Sequence, residues 1–310
     1  MSFTLDQAHA FEELDYRLRI VLPEEYQDRY EQMEPTPMGA AGLKFAPDGR
    51  VAWNEIWGSF CDLAMAGGPP HKGQLLEPAT PADVSAHSDR YQQVVDEICR
   101  GITMVTDLPA REAPAPGWIR VTCLSEPMAG WLLRAIVTEN VAVRAEGMAV
   151  DLPAAPDFRL EKEIKNVITV IAKTCHYWTG HMPRAQRLAI ARLFADLAAN
   201  EPLVPPAYSA DGARPASDAL LYAGMAQRIQ RDAGLAASSH QYAGWLGLAC
   251  GDVQAAVWMM RALVVSNVLA RREGTVLFVP VNPEIDPNGS RVAEAVVRIQ
   301  RLATIRTPSS

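Results

Sequence analysis

The chain has 310 residues, a net charge of −7, 49 % apolar and 21 % charged residues, the balance of a globular protein able to bury a large core. The acidity argues against a dedicated nucleic-acid binder, which needs a basic face, and no apolar run approaches the ~20 residues of a membrane span. Five cysteines with no C-x-x-C pair, and an acidic amphipathic N-terminus unlike a secretory signal, lead us to expect free thiols in a cytoplasmic setting.

Residues 5–22 predict an amphipathic helix with Phe11, Leu14, Leu18 and Val21 on one stripe. Pro23-Glu24-Glu25 opens a second, short helix that Pro35 and Pro37 end. These first 39 residues have no counterpart elsewhere and are expected to form a helical segment of their own. A hairpin follows with its turn at Pro47-Asp48-Gly49, then a helix over 54–66 and a Gly/Pro-rich loop at 67–73. Ser88 to Asp107 predicts a helix with Val94, Val95, Ile98, Ile102 and Val105 facing inward, and 110–116 reads as a linker.

The linker leads into Gly117–Pro156, which recurs at Gly244–Pro283 with a constant offset of 127 and 15 identities in 40 positions. Trp118/Trp245, Cys123/Cys250, Trp131/Trp258, Asn140/Asn267 and Gly147/Gly274 are among them. Such self-similarity reads as an internal duplication. Each copy predicts a strand, a helix from about 126 (or its equivalent) capped by Ser125 or Asp252, and a hairpin. The hairpin turns are Ala145-Glu146-Gly147 and Arg272-Glu273-Gly274, where glycine supplies the positive φ of the last turn position. A helix follows each, at 160–178 and at Ser290–Leu302. Between the copies lie helices at 162–177, 184–199 and 217–232 and a Pro-rich connection at 202–215.

The fold class is therefore α+β. The order strand-helix-hairpin-helix resembles, in topology alone, a ferredoxin-like split unit lacking its last strand. One such unit leaves a sheet edge and a face open, so two copies are expected to pair as a pseudo-two-fold molecule or a further homo-oligomer. The division expected is 1–39, then 40–182 with the first copy, then 183–310 with the second.

The densest reactive cluster is Cys175-His176-Tyr177-Trp178-Thr179-Gly180-His181. His176 and His181 lie five residues apart, about 140° around an ideal helix, and converge as a pair for a divalent metal if the helix ends near Gly180. The loops at 67–73 and 180–184 each offer a histidine and a cation, His71 with Lys72 and His181 with Arg184. Free backbone N–H groups beside a cation suit a phosphate or carboxylate, although no Walker motif is present. Arg134 and Arg261 recur with Arg144 and Arg271; they stack on tryptophan, pair with carboxylates, or fork onto an anion. Cys123 and Cys250 precede helix N-termini, where a thiol is either reactive or a buried strand end. Ser238-Ser239-His240 is a polar run with no identifiable acid partner.

These residues lead to one first expectation and two rivals. The first is an enzyme acting on an anionic small metabolite in a cleft between the halves. His71, His181 and Cys175 would be catalytic, with Lys72, Arg184, Arg134 and Arg261 binding the ligand and His176 with His181 the metal pair. The rivals are a non-catalytic small-molecule or metal-binding protein and an accessory or scaffold subunit of a larger complex.

Overall fold

A computed structural model describes residues 5–27, 42–56, 62–208, 216–240 and 242–303. Two compact units emerge: residues 32–187, and residues 1–31 together with 188–310. Among the described residues no helix is long and apolar enough to cross a membrane.

The chain opens with α1 (Leu5–Val21) and α2 (Glu24–Gln27). Leu14, Leu18 and Val21 of α1 are buried, as their helical spacing demands, and α1 packs on α9 (Val253–Val264) of the same unit. Pro35 and Pro37 lie outside the described residues.

The 32–187 unit begins with a minimal hairpin, a single antiparallel bridge from Phe45 to Val51 over a turn in which Gly49 has φ 79°. The helix expected over 54–66 does not form among the described residues. Trp53–Glu55 and Ala64–Ala66 are isolated 3-10 turns, and 57–61 lie outside the described residues. Gly67 at φ 107° turns the chain out of helical geometry, and Gly68 then lies against Asp62. The helix-favouring Ala-Met-Ala run is overruled by the two glycines after it.

Helix α3 (Pro81–Ala86) starts in a capping box between Thr80 and Asp83, and α4 (Ser88–Thr106) follows. Next come β1 (Ala110–Glu112), β2 (Trp118–Thr122), α5 (Glu126–Thr138), β3 (Arg144–Glu146) and β4 (Ala149–Pro153). The linker expected at 110–116 thus begins with a strand. The sheet order is β1-β2-β4-β3 with every neighbour antiparallel, so β2 and β3 run the same way on either side of β4. A π-helical turn (Leu160–Ile164) leads into α6 (Lys165–His176), a second π turn (Tyr177–His181) ends it, and α7 (Arg184–Asn200) follows. Residues 131–138 of α5 are all buried, the mark of a helix with no solvent face. It lies on β4 and against α6.

The other unit continues with α8 (Ala216–Ala233), β5 (Trp245–Ala249), α9, β6 (Arg271–Glu273), β7 (Val276–Pro280) and α10 (Ser290–Ala303). Its sheet order is β5-β7-β6, again antiparallel throughout. The registers coincide with those of the first sheet at an offset of 127: Trp118 faces Pro153 and Trp245 faces Pro280, while Thr122 faces Ala149 and Ala249 faces Val276. Ser125 Oγ accepts from Met128 N (3.3 Å) and Asp252 Oδ1 from Ala255 N (2.7 Å), the two caps expected at one repeat position.

The matching extends beyond the 40 repeated residues. Asn140 and Asn267 both take the left-handed backbone, at φ 61° and 58°. Their side-chain amides donate to Lys72 O and Glu201 O, each at 2.8 Å. Leu76 bridges Val141 in parallel and Val204 bridges Val268 likewise. Gly117 and Gly244 sit at φ 83° and 72°, where a Cβ would come within 2.2 Å of Ala79 O or 2.3 Å of Ala207 O. A strap of chain, 72–79 in one unit and 201–207 in the other, is thus pinned at both ends. This pairing sets loop 67–73 opposite the end of α7 rather than opposite 180–184.

Candidate functional site

The site grows from the C-terminal end of α5. Glu139 follows its last turn with the side chain directed inward, and Lys173 projects from a run of α6, Val167–Cys175, that is buried along its whole length. Lys173 Nζ and Glu139 Oε1 are 2.7 Å apart, and neither side chain has any exposure. Two charges stay in an apolar interior only when each is paired and its remaining hydrogen-bonding capacity is used. That condition is met here. Glu139 Oε1 accepts from Ala64 N (3.0 Å), Oε2 accepts from His71 N (2.9 Å), and Lys173 Nζ donates towards Asp62 O (3.4 Å).

Every one of those backbone partners belongs to the loop from Asp62 to Gly73. Lys72 N also donates to Glu139 O (3.1 Å), and Asn140 Nδ2 holds Lys72 O. Within the loop Gly68 N donates to Leu63 O (2.9 Å), and a Cβ on Gly68 would stand 2.5 Å from Asp62 O. The Gly67-Gly68-Pro69-Pro70 segment is therefore a tight reversal clamped onto a buried charge pair. His71 and Lys72 leave the clamp side by side.

His71 is half-buried. Burial, followed by the charges of Lys173 and Lys72 and more weakly Lys165, lowers its pKa to about 3, against a hydrogen bond to the Asn166 side chain that works the other way. The imidazole is thus neutral at pH 7, with one nitrogen to accept a hydrogen bond and one to donate, in a neighbourhood carrying three ammonium groups. Glu139 is engaged by Lys173. The arrangement sets a neutral imidazole beside a group of lysines, a setting suited to a small anion.

The other residues expected to act fall into separate constellations. His176 and His181 do meet, with Nε2 atoms 3.0 Å apart and ring centroids at 4.7 Å. The helix does not end to bring them together; it widens, because in a π turn residues five apart share a face. The Tyr177 ring lies 5.0 Å from that of His181. Among the described residues no three His, Cys, Asp or Glu side chains gather as a metal would require for a closed site.

Cys175 is buried, and burial first, then Cys123, pushes its thiol far upward. Burial likewise raises Cys123 to about 12 and Cys250 to about 11. Each is protonated near neutral pH, the state of an inert structural thiol. Arg134 and Arg261 are both buried within their helices, Arg134 Nη1 donating to Gly130 O (2.9 Å) and its pKa lowered by burial to about 10. Arg184 is exposed at the first residue of α7.

The stacking expected for the repeated arginines occurs at the other pair. Arg144 lies over Trp118 at 4.5 Å and Arg271 over Trp245 at 5.1 Å. Their surroundings differ. Arg144 and Arg120 both bond Asp151, at 2.9 and 2.8 Å. Position 278, which matches Asp151, is a phenylalanine 4.1 Å from the Arg271 guanidinium, and Tyr242 closes the box at 4.4 Å. His240 shares this aromatic group, 4.8 Å from Tyr242, and its Nε2 is 3.6 Å from Glu273.

The unit containing α8 and α10 also holds an open cleft of about 620 Å³. Arg228, Arg291, Arg298 and Arg301 line it together with Asp6, Glu201, Asp232 and Glu294. Its charges balance, so it carries no preference for an anion.

Glu139, Lys173 and Asn166 were not singled out from the sequence, and Asn140 stood there only as a repeated identity. Lys173 had a signal: a lone lysine within the apolar run of α6. Glu139 had another: the matching residue of the second copy is Ser266, so one copy holds a charge that the other lacks.

Comparison with protein-family models, with curated proteins and with solved structures returns no match.

Proposed function

We propose that this chain is an enzyme acting on an anionic small molecule held where the 62–73 loop meets the start of α6. Lys72 and Lys165 supply the charge that draws the anion, Asn166 orients the imidazole, and the neutral His71 offers it a hydrogen bond. The observation that carries this reading is a loop fixed by four hydrogen bonds to Glu139 and Asn140, which presents His71 and Lys72 next to Lys165 and Lys173. Rigid support of that kind is what a site needs to hold a ligand in one geometry.

A second reading, binding without turnover, is favoured by a specific observation. Lys173 and Glu139, the other groups able to do acid–base work there, are both closed off from solvent.

The test is a thermal-shift series with phosphate, sulfate and small dicarboxylates. A ligand at 100 times its Kd stabilises by about 2.7 kcal/mol. Lys72→Ala and His71→Gln should both lose the shift if the site is right; retention of the full shift in both removes it. A ligand that binds without being converted selects the second reading.

We also read residues 72–156 and 201–283 as copies of one ancestral ferredoxin-like unit lacking its final strand. Support comes from the common sheet registers, the two left-handed asparagines, the two capped helices and the strand order with β4 or β7 in the middle.

A further inference from the structure

His176 and His181 have a geometry that the anion-binding reading does not use. We propose that they form a two-imidazole site for a divalent transition metal of the copper or nickel kind, with solvent in the remaining positions. The argument begins with the backbone. On an ideal α-helix the two residues diverge by about 140°. The π turn over Tyr177–His181 removes that divergence, and both rings come off the same face of the helix end.

The distance then discriminates among metals. Metal–imidazole bonds of about 2.0–2.1 Å set two cis nitrogens about 2.9 Å apart at a 90° angle and about 3.3 Å apart at a tetrahedral angle. The two Nε2 atoms are 3.0 Å apart. That matches the square-planar or octahedral case, which copper(II) and nickel(II) favour, better than the tetrahedral preference of zinc. Access is also in place: His176 is exposed and His181 half-buried. The Tyr177 ring covers one side of His181 and limits its rotation. Cys175, next in sequence, is buried and turned away from this face, so the donor set is nitrogen and water.

Because no third His, Cys, Asp or Glu joins the pair among the described residues, the site is open and its metal exchangeable. An exchangeable ion with vacant positions can take up a further ligand, which distinguishes it from a structural metal. Protons compete for the same lone pairs, so affinity falls as pH is lowered.

The experiment is a titration of the full chain with copper(II), nickel(II) and zinc(II), followed by calorimetry and, for copper, by electron paramagnetic resonance. One equivalent of copper with coupling to two nitrogens is expected, with copper binding tightest. His176→Ala and His181→Ala should each weaken copper by about 100-fold, the scale of losing one arm of a bivalent contact. His87→Ala, at an exposed turn, should change nothing. His176→Asn serves where the alanine variant is less soluble. The proposal falls if copper shows coupling to one nitrogen or none. It falls equally if either His176 or His181 can be removed without loss of affinity, the outcome for an imidazole pair that is hydrogen-bonded and nothing more. Either result leaves the His71 site untouched, since the two share no residue.

Discussion

Glu139 and Lys173 pair at 2.7 Å with no exposure of either side chain, and the carboxylate spends its other bonds on Ala64 N and His71 N. The pair therefore holds the loop as well as itself. Removing one member leaves an uncompensated buried charge, so Lys173→Met or Glu139→Ala should each cost about 3–5 kcal/mol of stability. The double variant Glu139→Ala/Lys173→Met should cost clearly less than the sum of the singles. Urea unfolding of the four proteins in the cycle reads the difference; an additive result shows that the pair is not coupled.

His71 gives a pH signature. Its folded pKa is lowered to about 3 from an ordinary value of 6.5. Between those two values the unfolded chain binds a proton that the folded chain refuses. Stability is fully present above pH 6.5 and declines as pH falls from 6.5 towards 3, by up to about 1.4 kcal/mol per unit for one proton. His71→Gln should flatten that part of the stability–pH curve. Parallel curves for variant and wild type show that His71 titrates normally.

Asn140 and Asn267 combine a left-handed backbone with a side-chain bond to a crossing strap. Substitution by glycine keeps the conformation and loses the bond, at about 1 kcal/mol. Alanine loses the bond and adds strain of about 1 kcal/mol or more. The expected order at both sites is Asn, then Gly, then Ala in falling stability, measured by thermal unfolding. Alanine equal to glycine at either site shows that the backbone there relaxes without strain.

The thiols are predicted to be slow. With Cys99 and Cys123 raised to about 12 and Cys175 raised further still, iodoacetamide at pH 8 should label these three in folded protein far more slowly than in urea. Mass spectrometry of the labelled peptides gives the rates. Fast labelling at Cys175 restores it as a candidate nucleophile.

What the sequence made legible follows from local chemistry. Strand alternation, the Ser125 and Asp252 caps, and the glycines closing the 145–147 and 272–274 turns are each decided within a few residues, so they were readable. The Glu139–Lys173 pair was not, because one partner ends a helix and the other sits within an apolar run of a different helix. The convergence of His176 with His181 was read correctly as a possibility but for another reason; a five-residue period leaves no mark in hydrophobic patterning, so the π turn went unseen. Over 54–66 the Ala- and Met-containing composition pointed to a helix, while the close approach of Gly68 to Asp62 is a tertiary fact. Of the candidate site, His71 and Lys72 were found as a cation-bearing loop, without the pair beneath that holds them.

The strap from Lys72 to Ala79 is buckled at one end by Asn140 and at the other by Gly117 and Ala154. Its length is therefore a gauge: with both buckles closed, the number of residues between them dictates which of its side chains face inward. One residue more would swing Leu76, now buried, to the outer side and slacken the whole span. Spacing along this belt, rather than the identity of its side chains, is where the chain can least tolerate change.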